Sequence, residues 1–106
     1  MNKFISMLGL ARRAGKLVYG FDATVSSIKE EKAQLVVVAC DISEKTEKNV
    51  RFEAVKKAID VIKSSETIED ISRGIGKKAG VLAIIDKDFA KGVLAKSLEN
   101  NIGKDE

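Results

Sequence analysis

From Phe4 to Ala11 the apolar positions fall at Phe4, Ile5, Leu8 and Ala11. This is the three- and four-residue spacing of one helix face, and it predicts a helix over residues 2–13. Gly15 supplies a stop, and Arg12 and Arg13 occupy the last turn, where cations are favoured. Lys16–Tyr19 reads as a short strand. Gly20 opens a second helix that runs to about Glu31, with Phe21, Val25 and Ile28 on its inner face and Asp22 in its first turn. The rhythm then changes. Gln34–Cys40 (QLVVVAC) is a near-continuous apolar run, the mark of a strand covered on both faces. A third helix follows Ser43 and ends near Lys57, and Ala58–Lys63 is a second strand candidate. Thr67-Ile-Glu-Asp70 reads as a capping box for a short helix that stops at Gly74 or Gly76. Gly80–Ile85 (GVLAII) is another buried strand. Asp86–Leu98 is a last helix with Phe89, Val93 and Leu98 inward.

The order α-β-α-β-α-β-α-β-α predicts an α/β fold, a three-layer α/β/α sandwich with helices on both faces of the sheet. The two strongest strands, 34–40 and 80–85, belong at its centre. With 106 residues, no proline, no linker and no internal repeat, the chain reads as a single domain, 1–106. No apolar run approaches the ~20 residues needed to span a bilayer. No export signal is visible, so a cytoplasmic location is expected.

Charge changes the picture more than composition does. Residues 1–20 carry Lys3, Arg12, Arg13 and Lys16 and no acid; residues 71–80 carry Arg73, Lys77 and Lys78 and no acid. All sixteen acids lie elsewhere, so the net charge of +3 is a small sum over a lopsided distribution. Both stretches contain glycines beside predicted helix ends. Bare amides next to cations suit phosphate, and a polyanion such as RNA is the first partner to consider.

The missing residue types narrow the chemistry. With no histidine, the commonest general acid/base and metal ligand is lacking, and one cysteine alone builds no typical zinc site. Cys40, at the end of a hydrophobic strand, reads as a buried structural thiol. Trp is absent and Tyr19 is the only tyrosine, against a row of base-stacking aromatics. No cofactor is implied.

Gly74-Ile-Gly76-Lys-Lys-Ala-Gly80 has dinucleotide-motif spacing in the wrong context, after a helix and before a strand. It reads instead as a helix stop and a turn that leaves two lysines without an acid. At Gly20-Phe-Asp22, the amides of a helix start face an anion or a base edge, and Asp22 suits the amino or imino group of a base better than phosphate. Asp41 and Asp86 each follow a buried strand. Helix capping is their main reading, with a shared Mg²⁺ as the lesser one.

Several segments read together: Leu8-Gly-Leu-Ala-Arg-Arg-Ala-Gly-Lys16, Gly20 opening a helix, Ala33-Gln-Leu-Val-Val-Val-Ala-Cys-Asp41, Ser72-Arg-Gly-Ile-Gly-Lys-Lys, and Val81-Leu-Ala-Ile-Ile-Asp-Lys-Asp-Phe-Ala90. Over residues 4–98 the chain resembles the ribosomal-protein seven-Ae/thirty-e superfamily of kink-turn RNA binders, in particular its small bacterial YlxQ-type members. The resemblance implies a mixed four-stranded sheet. It also implies RNA binding through the tip of the second helix, which enters a widened major groove, and through the loop before the last strand, which covers a bulged nucleotide. The family's tip motif runs Gly, small, Asn, Glu, apolar, Thr, Lys. Gly20 matches it and Asp22 stands for Asn, while Ala23 and Ser26 occupy the Glu and Lys positions.

The reading is a non-enzymatic RNA-binding protein associated with the ribosome or translation. Its RNA-binding residues are Arg12, Arg13, Lys16, Gly20, Asp22, Ser26, Arg73, Lys77 and Lys78. The expected partner is structured RNA, ribosomal RNA first, with ribosomal proteins as neighbours, no membrane, and a monomeric chain. The alternatives are a small enzyme acting on a phosphorylated metabolite and a protein-binding module of the translation machinery.

Overall fold

The computed structural model describes residues 2–105, with side chains as far as Glu99. Nine elements follow in order: α1 (Lys3–Arg13), β1 (Leu17–Tyr19), α2 (Phe21–Lys29), β2 (Leu35–Val38), α3 (Glu44–Lys56), β3 (Val61–Lys63), α4 (Ile68–Ile75), β4 (Val81–Ile84) and α5 (Lys87–Asp105). The four strands form one mixed sheet in the order β1-β4-β2-β3. β4 runs antiparallel to both β1 and β2, and β3 lies parallel to β2. The two apolar runs are the central strands, as their hydrophobicity requires.

Alternation along those strands divides the core in two. Leu35, Val37, Leu82 and Ile84 point to one face, where Phe4 and Leu8 of α1, Ile71 and Ile75 of α4 and Val93 of α5 pack on them. Val36, Val38, Val81 and Ala83 point to the other, beneath Ile28 of α2 and Val50 and Ala54 of α3. A strand covered on both faces has no polar side to show, which is why the runs are continuous rather than alternating.

Four details differ from the sequence expectation. β3 is shorter than Ala58–Lys63, because Ala58 takes a positive φ of 56° and the chain is still turning there. Cys40 is exposed, since β2 ends at Val38 and Cys40 already belongs to the loop, its amide donating to the Glu66 carbonyl. Phe21 and Leu98 are 39% and 55% exposed instead of inward. Phe21 is the first residue of its helix, at the edge of the sheet's cover, and on α5 the buried position is Ser97, which turns Leu98 beside it outward.

α1 and α4 approach with almost nothing between their backbones. A Cβ on Gly74 would lie 2.3 Å from Ile5 Cγ2, and one on Gly9 would lie 2.9 Å from the Gly74 carbonyl oxygen. Gly76 then ends α4 in the left-handed region, at φ 79°. That conformation suits glycine, because a side chain there crowds its own carbonyl.

Candidate nucleic-acid interface

Helix N-termini distinguish one corner of the molecule. Each helix leaves its first amides without an internal partner. Asn2 caps α1, accepting from the Ile5 amide at 2.8 Å; Ser43 caps α3; Thr67 caps α4; and Asp86 accepts from the Phe89 amide at 2.9 Å in α5. α2 starts at Gly20, which has no side chain to offer, so its first turn has no such cap. Gly20 sits at φ 93°, ψ 157°, a conformation open to glycine and strained for other residues. Its own N–H donates to the Val81 carbonyl at 2.8 Å. That single bond fastens the tip of α2 to the place where the 76–80 loop enters β4.

The loop itself is braced from below. Ser72 Oγ accepts from the Ala79 amide at 3.0 Å and donates to the Ala79 carbonyl at 3.3 Å. Ala79 is thereby held inward while Lys77 and Lys78 project to solvent. Arg12 closes the gap between the two acid-free segments. Its guanidinium lies 5.8 Å from the centroid of the Tyr19 ring, and its Nη1 is 3.8 Å from where a Cβ on Gly76 would stand. Among the described residues, Arg12, Arg13, Lys77 and Lys78 take part in no ion pair. An open groove of about 680 Å³, lined by Asp41, Ile68, Ser72, Arg73, Gly76 and Lys77 among others, runs beside the loop.

The structure gathers Arg12, Gly20, Asp22, Lys77 and Lys78 at this corner, keeps Arg73 in the groove beside them, and disposes the other candidates differently. Lys16 lies at the opposite end of β1, where its carbonyl accepts from the Ile85 amide. Three strand residues separate it from Gly20, a run of about 13 Å. Arg13 sits on the α1–α4 side, with Nη1 3.6 Å from the Cβ position of Gly9. Arg73 is paired with Glu69 one turn back on α4, so the acid that the 71–80 window lacks comes from just outside it. Ser26 lies one turn beyond Asp22, and both line a second groove between α2 and α3. Ser72 and Tyr19 are the contributors that sequence reasoning missed. A helical serine and a strand-end tyrosine carry no signal of the loop and the arginine they touch.

Asp41 and Asp86 both cap helices. Asp41 reaches across to α4, accepting from the Ile68 amide at 2.8 Å, and not to the helix that follows it. Because β2 and β4 are antiparallel, the two aspartates lie at opposite ends of the sheet and share no ion. Among the described residues no group of three acids, cysteines or histidines is arranged to hold a metal. No described helix is long and apolar enough to cross a membrane.

The chain is similar to known proteins in sequence and in fold. An RNA-binding protein YlxQ of Enterococcus faecium is 39% identical over 89 residues, covering 84% of this chain and 85% of its own. An RNA-binding protein YlxQ of Bacillus subtilis is 33% identical, covering 88% and 93%. The Giardia lamblia 15.5kD RNA binding protein superposes with a TM-score of 0.70 over 91% of this chain and 82% of its own; at 15% identity it shows the fold alone. The family model described as ribosomal protein L7Ae/L30e/S12e/Gadd45 matches residues 2–94, and the chain belongs to that family.

Proposed function

We propose that this protein is a non-enzymatic, cytoplasmic RNA-binding protein that docks the tip of α2 and the 76–80 loop together on structured RNA, ribosomal RNA in the first instance. The observation that carries the reading is the uncapped start of α2, bonded through Gly20 to the Val81 carbonyl beside a lysine-bearing loop. Free amides and three unpaired cations within one corner suit a phosphate backbone that turns sharply past it. In this reading Arg12, Lys77 and Lys78 contact phosphates. The first-turn amides and Asp22 meet base edges, and the groove beside Lys77 receives an unstacked nucleotide. Relatives named as RNA-binding proteins support it. The enzyme alternative loses its acid pair, since Asp41 and Asp86 are capping residues at opposite sheet ends.

The test is a titration of a kink-turn RNA at several salt concentrations. Arg12→Ala, Lys77→Ala and Lys78→Ala combined should weaken binding and flatten the log–log salt slope by about 0.7–0.9 for each phosphate no longer neutralised. Lys16→Ala, at the far end of β1, should leave the slope unchanged. An unaltered slope in the triple variant would refute the assignment.

A further inference from the structure

α2 and α3 leave a second groove between them, of about 690 Å³, which begins at Phe21 and Asp22 beside the cationic corner. Phe21 and Phe52 stand on its walls, 39% and 60% exposed, with Asp22, Asn49 and Glu53 between them. Lys56 sits over the Phe52 ring at 4.5 Å and is bonded to Glu53 at 3.0 Å. Its charge is thus already answered. Lys29 also lines the groove, but set against Asp22 and Glu53 it leaves no cationic excess there, so the groove is a poorer seat for phosphate than the corner.

The same lining suits the base of a nucleotide. Phe rings offer stacking faces, and every base has a face to stack. Asp22 and Glu53 accept from an exocyclic amino group, and Asn49 both donates and accepts. The volume lies within the about 300–1,000 Å³ range of small-ligand clefts. Two exposed phenylalanines in a groove with two acids make a small apolar patch, well short of the roughly 800 Å² that each partner contributes to a stable protein interface. Phe21 and Asp22 also begin the helix whose tip meets RNA, so an occupant here is contiguous with RNA bound there. We infer that the α2–α3 groove is a stacking subsite for an unpaired, amino-bearing nucleobase of the RNA. It rests on the RNA-binding reading and adds single-stranded RNA beside the docked element as a ligand.

The probe is an eight-nucleotide oligoadenylate, titrated by fluorescence anisotropy in parallel with a blunt kink-turn RNA. Phe52 is exposed, so its variants should fold, and far-UV circular dichroism checks this. Phe52→Ala and Phe52→Leu should weaken oligoadenylate binding on the order of tenfold, Phe52→Tyr should retain it, and all three should bind the blunt RNA as the parent does. Oligoadenylate binding that is absent in the parent, or that survives Phe52→Ala, would overturn the subsite. So would equal weakening in the Tyr and Leu variants, or a concentration-dependent dimer abolished by Phe52→Ala. Failure to bind the blunt RNA alone, with Phe52-dependent oligoadenylate binding intact, would count against the docking reading and leave the subsite supported.

Discussion

Replacing Ser72 with alanine removes one oxygen and two hydrogen bonds from beneath the 76–80 loop. The hydroxyl accepts from the Ala79 amide at 3.0 Å and donates to the Ala79 carbonyl at 3.3 Å, and Ala79 is only 6% exposed. A hydrogen bond exchanged for one with water costs about 0.5–1.5 kcal/mol, whereas a buried amide left without a partner costs about 1–3 kcal/mol. Ala79 falls nearer the second case, so Ser72→Ala should destabilise the fold by about 1–2 kcal/mol in urea denaturation. For a domain of this size that corresponds to a fall in Tm of about 4–8 °C per kcal/mol. The change has a local signature as well. Exchange of the Ala79 amide should quicken relative to that of Val36 or Leu82 in the central strands. RNA affinity should drop by at least the fraction of molecules whose loop has left its braced position. Stability within about 0.5 kcal/mol of the parent, together with unchanged Ala79 exchange, would refute the brace.

Two further outcomes test other parts of the molecule. Glu47 is held below the usual carboxylate range chiefly by its hydrogen bond to Lys63, then by that to Arg51. Its stabilisation is therefore present above the ordinary carboxylate pKa and disappears as pH falls through the lowered value. Lys63→Ala should cost under about 1 kcal/mol at neutral pH, with the deficit closing under acid; a deficit that persists below that range would refute the pairing. At the α2 tip, Ala23→Glu with Ser26→Lys should sharpen discrimination between a kink-turn and a duplex lacking its G·A pairs by on the order of 1–3 kcal/mol. Titrating both proteins against both RNAs at one salt concentration decides it, and no gain would mean that the tip docks differently.

The layers and the central strands were legible because they follow from burial, and burial leaves a period in the sequence. QLVVVAC and GVLAII announced two-sided cover, and Gly15, Thr67 and Gly76 marked helix ends by backbone chemistry that is local to each. The acid-free windows singled out Arg12, Lys77 and Lys78, which the fold brings to one corner. They could not show where Lys16 would go or what Arg73 would pair with, for different reasons. Lys16 is four residues from Gly20 in the chain, but an intervening strand carries it to the other end of the sheet. Arg73 meets Glu69 because helical neighbours are four residues apart, and the window began two residues too late to include it. Cys40 was misread because a strand's apolar run outlasted its hydrogen bonding. The Ser72 brace spans a turn of seven residues and the Phe21–Phe52 groove joins two helices, and no helical or strand period records either meeting.

The close passage of Gly9 and Gly74 gives the molecule a division of labour. At Gly9 and Gly74 the added Cβ would meet the Gly74 carbonyl and the Ile5 side chain, leaving little room to repack, so a substitution there acts like a wedge under a lever. It would tilt α4 and swing Lys77 and Lys78 with it. Ala23 and Ser26, by contrast, stand exposed at the α2 tip. In the proposed complex, recognition is adjustable at two exposed positions, while the aim of the loop is set by two glycines that would contact no RNA. A descendant of this chain can change its ligand in small steps without first learning to fold again.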